Sequence, residues 1–237
     1  MHHRQPVGMN SREGSIRAMH SAHQPREGGS IPTPSLIRAD WRVQPVELSV
    51  AKEMVRREHY SHGGSNTAVY TFGIVPARQW FGVLPIAVNW WIPPTPACGK
   101  SVWPSNCQSV LSLSRLVCEP HAPKNAPSFL LAHSQRQIDR ARWPILITFA
   151  DEWQGHAGTI YKAAGWLECG RTRPEPTYVK GGRMVSRKAG PKTRTHDQML
   201  ALGCECVGSF RRLRFVHVRA DLRDEFEPIR KRLAEGI

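Results

Sequence analysis

Residues 145–171, ILITFADEWQGHAGTIYKAAGWLECGR, constrain the fold more than any other stretch, because they commit the chain to strand, turn, helix and strand in immediate succession. Ile145-Leu-Ile-Thr-Phe149 is a short apolar run rich in β-branched residues behind Trp143-Pro144, which predicts a buried central strand. Gly155-His-Ala-Gly158 opens a helix through Thr159 to Ala164, and Gly165 stands where a left-handed cap would end it. Trp166-Leu-Glu-Cys169 begins the next strand. In open α/β sheets ligands bind outside the carboxyl ends of strands, so Asp151 and the helix behind it are candidate site residues. His156 reads as a hydrogen-bonding group at the helix start rather than a ligand.

Composition bounds the partners. The 237 residues, 40% of them hydrophobic, suffice for one sizeable domain with tails. Lys and Arg number 33 against 19 Asp and Glu, a net charge of +14. That is more than solubility needs and predicts a polyanionic partner, with double-stranded DNA the first expectation. The six cysteines form no C-x-x-C pair and no apolar signal segment opens the chain, so reduced thiols and a cytoplasmic setting are expected. Cys204-Glu-Cys206 does not complete a tetrahedral zinc site. No run approaches the ~18 apolar residues of a membrane span.

Residues 1–34 carry Gly, Ser, Pro, Arg and His without hydrophobic periodicity and read as a disordered basic tail; His2, His3, His20 and His23 belong to it. A domain over 35–220 and a charged helix over 221–237 follow. Val46 to Glu58 has apolar residues at helical spacing and delivers His59-Tyr60 into a Gly-Gly turn. Ala68 to Val75 and Trp80 to Trp90 read as antiparallel strands joined through Pro76-Ala-Arg-Gln79, and 92–106 as a proline-rich inserted loop.

Val110 to Cys118 alternates as a strand, with Leu111, Leu113 and Arg115 on one face and Ser112, Ser114 and Leu116 on the other. An arginine there needs a strand end, a carboxylate or a phosphate as partner. A helix from Ser128 to Arg142 follows, Leu130, Leu131, Ser134, Ile138 and Ala141 facing inward. Asn125 and Ser128 near its start suit an anion such as a pyrophosphate. Over 177–195 a basic, Gly-containing ribbon carries Lys180, Arg183, Arg187, Lys188, Lys192 and Arg194, a track suited to phosphates.

The order of elements, with Tyr161-Lys-Ala-Ala-Gly165-Trp166, resembles the Gcn5-related acetyltransferase (GNAT) fold, a mixed, mostly antiparallel sheet flanked by helices. More specifically, Glu58-His-Tyr60, Leu113-Ser-Arg-Leu116, Asn125-Ala-Pro-Ser128 and Ala150-Asp-x-x-Gln-Gly-His-x-Gly158 with Tyr161 resemble the Mom family of phage DNA-modification proteins. The Gln/Arg-x-x-Gly-x-Gly loop that wraps the CoA pyrophosphate in acetyltransferases is replaced by Glu119 to Ser128, a departure the Mom family shares.

The resemblance implies an enzyme that uses acetyl-CoA to convert the N6 amine of adenine in DNA to a carbamoylmethyl form, protecting the DNA from restriction. It carries over His59, Tyr60, Asp151 and Tyr161 as catalytic residues and as ligands of a redox-active iron, which His, Tyr and carboxylate donors suit. As acid and base, Tyr161 would reprotonate a departing thiolate, and Asp151 or His59 would take the amine proton. Arg115, Ser128 and Asn125 are then expected on CoA. The target base has to leave the stack to be reached. Two other classes stay open: an N-acetyltransferase acting on a protein or small-molecule amine, and a non-enzymatic basic DNA-binding protein. A homodimer is compatible with either.

Overall fold

The computed structural model describes residues 34–235, apart from 62, 64–65, 79–81 and 190–191. The tail expected over 1–34, with its four histidines, lies outside the described residues except for Pro34. Among the described residues the strands are, in chain order, β1 (Trp41–Pro45), β2 (Tyr70–Pro76), β3 (Ala87–Ile92), β4 (Val110–Cys118), β5 (Ile145–Asp151), β6 (Leu167–Arg171), β7 (Glu175–Lys180), β8 (Arg183–Val185), β9 (Lys188–Ala189), β10 (Lys192–Thr193), β11 (Glu205–Phe210) and β12 (Arg212–Val218). The helices are α1 (Leu48–Glu58), α2 (Pro96–Val102), α3 (Ala126–Gln137), α4 (Thr159–Ala163), α5 (His196–Ala201) and α6 (Arg223–Ala234).

The main sheet runs β1-β2-β3-β4-β5-β12-β6. Every neighbouring pair is antiparallel except β4 and β5. Those two pair in parallel only over Val110–Ser112 against Ile145–Ile147. Beyond that point β4 stays with β3 and β5 stays with β12, so the two strands splay into a V. This is the mixed, mostly antiparallel α/β architecture expected from the sequence.

Alternation along the strands loads both faces. On one, Leu111, Leu113, Leu146, Ala150 and Phe215 pack beneath Leu130 and Leu131 of α3. On the other, Ile145, Ile147 and Val216 pack against Phe226 and Leu233 of α6. Val88, Trp90 and Val117 pack on that same side against Ala51, Met54 and Val55 of α1. Fully burying each large apolar side chain is worth about 1.5–3 kcal/mol, so the two-sided burial holds the sheet.

Several local expectations are corrected. The loop expected over 92–106 contains α2 and a 3-10 turn, Pro104–Ser109. Thr95 caps α2 by accepting from the Cys98 amide, Pro96 takes the first turn, and the adjoining Trp103 stacks on Phe226 at 6.3 Å. Prolines there start helices rather than forbid them. The second antiparallel strand begins only at Ala87, because Pro85 has no N–H to give a ladder. Residues 80–81 of the expected strand lie outside the described residues. Val46 is not helical; its amide donates to Thr71 O of β2 at 3.1 Å. Helix α3 stops at Gln137, where Asp139 Oδ1 accepts the Ala141 and Arg142 amides and turns the chain, leaving Ala141 exposed.

The faces of β4 also differ from simple alternation. Trp90 pairs with Arg115 and Trp91 with Leu113, so Ser114 is a bulge. After it the faces exchange: Leu116 packs on the α3 side with Leu111 and Leu113, and Val117 on the α1 side. Arg115, two residues before Val117, therefore leaves the leucine face for the α1 face.

Candidate active site

Beyond the short parallel pairing of β4 and β5, the candidate residues divide between the two faces of the sheet. Asp151 ends β5 on the side of Ile145, Ile147 and Phe149, which is the face Arg115 reaches through the bulge. The turn after α1 supplies His59 and Tyr60 there. Helix α1 ends because His59 takes an extended conformation while its amide still donates to Val55 O at 3.1 Å. Arg57 fastens this corner to the end of β4 by pairing with Glu58 at 2.6 Å and Glu119 at 2.9 Å. His59 stacks on Tyr60 at 4.3 Å between ring centroids, and Tyr60 meets His156 edge-on at 6.1 Å.

The electrostatics join these residues. Burial pushes the Tyr60 hydroxyl up to about 12; Asp151 adds to the rise, whereas Arg115 and Arg212 oppose it. His156 is lowered by burial, against the pull of Asp151. Tyr60 is therefore a neutral phenol and His156 a neutral imidazole at pH 7. Asp151 is almost fully buried; its Oδ1 accepts the Trp153 amide at 3.1 Å, and its Oδ2 lies 3.9 Å from Arg212 Nε. Arg115 donates to the carbonyls of Gly63 at 3.0 Å and Ser114 at 2.6 Å. Its partners are these backbone oxygens and the Ser114 hydroxyl, at 3.4 Å, rather than a carboxylate. Arg212 was not picked out from the sequence; only its register opposite Asp151 brings it in.

Tyr161 stands on the α3 face. It packs 5.1 Å from Phe215 and 6.0 Å from Trp166, burial raises its hydroxyl, and contact with Thr148 pulls the other way. Gly158 starts α4 at φ +71°, and a Cβ there would stand inside the Phe215 ring, so the close approach of α4 to β12 requires glycine. On this face a cavity of about 270 Å³ runs along α3 beside Asn125, Ser128, His133, Arg136, Arg38 and Ala163. Asn125 Oδ1 accepts the Leu36 amide at 2.6 Å and Ser128 donates to Asn125 O at 3.0 Å. Arg115 thus lies on the opposite face from Asn125 and Ser128.

Of the four residues that the resemblance assigns to iron, Tyr60 feels the charge of both Asp151 and Tyr161 and stacks on His59. His59 Nδ1 accepts the Ser61 amide at 3.1 Å and lies 2.8 Å from the Ser61 hydroxyl. Burial raises the hydroxyls of both tyrosines, and Tyr161 stands on the α3 side of β5 while Asp151 ends that strand on the other. Among the described residues no three His, Cys, Asp or Glu side chains stand close enough to hold a metal.

The basic ribbon belongs to an excursion between β6 and β12, neighbours in the main sheet. It forms a second sheet, β11-β7-β8, and the two-stranded β9-β10 ribbon. Tyr178, Met199 and Cys204 form its own small core, with Tyr178 Oη 2.8 Å from His196 Nδ1. Of the expected track, Arg187 and Arg194 brace the β9-β10 ribbon through Arg187 Nε to Arg194 O at 2.9 Å and Arg194 Nη1 to Ser186 O at 3.4 Å. Lys180 is held by Leu202 O at 2.6 Å. Arg183, Lys188 and Lys192 are exposed. The excursion is rooted at the site: Glu175 pairs with Arg212 at 3.3 Å, and Phe210 lies 6.5 Å from Trp153.

Residues 40–219 match the sequence profile of the Mom protein family. Over 129 residues the chain is 26% identical to Methylcarbamoylase mom of Escherichia phage Mu, covering 53% of this chain and 52% of that protein. The chain therefore spans about half the length of the curated relative it matches. Among solved structures it is similar to the ribosomal-protein-S18-alanine N-acetyltransferase of Escherichia coli, with a TM-score of 0.42 and 10% identity over 75% of this chain and 93% of that one. An N-acetyltransferase from Staphylococcus aureus Mu50 gives a TM-score of 0.45 and 9% identity over 75% and 98%.

Proposed function

The chain belongs to the Mom protein family, and from that premise we propose that it is a DNA-modifying transferase. It takes acetyl-CoA and converts the N6 amine of adenine in duplex DNA to the carbamoylmethyl form, which shields the DNA from restriction. The observation that carries the reading is the division of the site across the V: Asp151, Tyr60 and His156 on one face, Tyr161 and the α3 cavity on the other. Acetyl-CoA then lies on the α3 face, Asn125 and Ser128 beside its phosphates. The adenine approaches from the face of Asp151, beside the root of the basic excursion.

The residues divide the proton work accordingly. Adenine N6 is a weak nucleophile because its lone pair is delocalised into the ring, so a base must take its proton as the new bond forms. Asp151 is that base, its carboxylate oriented by the Trp153 amide and facing Arg212. The phenol of Tyr60 donates to the reacting carbonyl, a task its raised pKa suits. Tyr161, a neutral phenol on the other face, gives its proton to the departing CoA thiolate. Arg115, fixed on the acceptor face by backbone carbonyls, is assigned to substrate positioning there rather than to the phosphates of CoA. Joining N6 to the methyl carbon also removes two electrons, which the redox-active iron implied by the family, held by residues such as His59, Tyr60 and Asp151, would pass to an external oxidant; an ammonia-level nitrogen displaces the CoA thiolate at the carbonyl to give the amide.

The test is mass spectrometry of nucleosides from plasmid DNA recovered from cells expressing the chain, beside Asp151→Asn. A carbamoylmethyl-deoxyadenosine present with the unaltered chain and reduced at least a hundredfold in the variant is expected. Equal levels in both would remove Asp151 from its role.

A further inference from the structure

The residues assigned so far handle protons and the donor, and none of them has been assigned to stack on the purine ring. An aromatic pair stands at the rim of the site. Trp153 follows Asp151 by two residues in the turn after β5, and Phe210 precedes Arg212 by two residues at the end of β11. Because Asp151 and Arg212 face each other in register, the two rings stand opposite one another just beyond the end of the ladder. Their centroids are 6.5 Å apart at 56°, a tilted V rather than a closed stack, and both side chains are half-buried.

The surroundings are ionic: Arg171 pairs with Glu152 at 2.7 Å on one flank and Arg212 with Glu175 at 3.3 Å on the other. An apolar wall in such a place leaves aromatic surface facing water beside the buried carboxylate. The Asp151 carboxylate itself fixes the turn that carries Trp153. Both rings also sit where the basic excursion joins the main sheet, so a strand held by Arg183, Lys188 and Lys192 is tethered to the same root. Phosphate contacts position a strand without holding any one base; a π-face holds the base.

We infer that Trp153 and Phe210 form the stacking wall that receives the extruded adenine and presents its N6 edge to Asp151. The inference rests on the proposed DNA substrate and names the residues that hold its base. It adds no step to the chemistry.

The test uses the full chain and short thymine strands carrying either one central adenine or an abasic site at that position. The unaltered protein binds the adenine strand about tenfold more tightly, the size of one base-aromatic stack. Trp153→Ala and Phe210→Ala abolish that difference, Trp153→Phe keeps it, and all four proteins bind the abasic strand alike. Alanine variants that keep the tenfold preference overturn the inference. So do variants that lose the abasic strand as well, which marks a merely structural role. Nucleoside mass spectrometry on the same proteins separates the two levels. Modification that persists undiminished in Trp153→Ala removes the wall and leaves the proposed function standing. An unaltered chain that leaves DNA unmodified removes both.

Discussion

At the scale of single residues, burial decides which form of each titratable group the fold accepts. Tyr60 and Tyr161 are kept as phenols and His156 as a neutral imidazole, and desolvation is the largest cause in each case. His217 shows the same physics away from the site. It is pushed down to about 4 by burial and by Arg140 and Arg223, and its Nδ1 is buried without a partner. With the folded value below the unfolded one, the unfolded chain takes up the proton first on acidification. The stability His217 confers is thus whole above about 6.5 and is lost as pH falls from there towards 4. His217→Gln should lose less stability than the unaltered chain over that window, by roughly 1–2 kcal/mol once partial exposure is allowed for. Thermal melting across pH 4–7 measures this, and parallel curves would contradict it. At this scale the sequence marks Asp151, Tyr60 and Tyr161 as candidates through motif and position alone, and the fold sets Tyr60 beside Asp151. Arg212 and Trp153 are not so marked, because nothing local distinguishes them; they matter through what a distant strand sets opposite them.

At the scale of elements, the strand-turn-helix-strand unit over 145–171 was legible because its periodicity, glycines and β-branched run all agree. The face of Arg115 was not, since one bulged residue at Ser114 reverses every side chain after it, and a period-two reading cannot see a bulge. Helix α2 was hidden by its prolines, although Thr95-Pro96 is itself a helix-start signal. The glycines around α4 give a sharp test of local packing. Gly158 and Gly165 both have positive φ, at +71° and +80°, but a Cβ at Gly158 would overlap Phe215 whereas one at Gly165 would meet nothing within 4 Å. Gly165→Ala should cost about 1–2 kcal/mol, the left-handed penalty alone. Gly158→Ala should cost clearly more, at least ~3 kcal/mol, because the ring must move or α4 must detach. Denaturant melts of the two variants compare them; equal losses would contradict the packing of α4 on β12.

At the scale of the whole molecule, the +14 charge predicts a polyanion but not where it lies. The fold ties Lys180, itself exposed, and Arg187 to backbone carbonyls, and Arg183, Lys188 and Lys192 are exposed beside them. Replacing the latter three with Gln should lower the salt slope of duplex binding by roughly 2–3, at about 0.9 per phosphate contact. Arg187→Gln should instead act through loss of the β9-β10 ribbon and show as lowered stability. Salt titrations of binding distinguish them, and an unchanged slope in the triple variant would place the DNA elsewhere. Transfer of the acetyl carbons of acetyl-CoA to adenine N6 is the central claim, and tracing those carbons tests it most directly. The purified chain is incubated aerobically with duplex DNA and acetyl-CoA labelled at both acetyl carbons, in desalted extract of cells lacking the protein with a ferrous salt, ammonium and glutamine added back, and the nucleosides are weighed. The account predicts a carbamoylmethyl-deoxyadenosine carrying both labelled carbons, absent with Tyr161→Phe and Asp151→Asn. A modified adenine without label, or label found on protein and never on DNA, would contradict it.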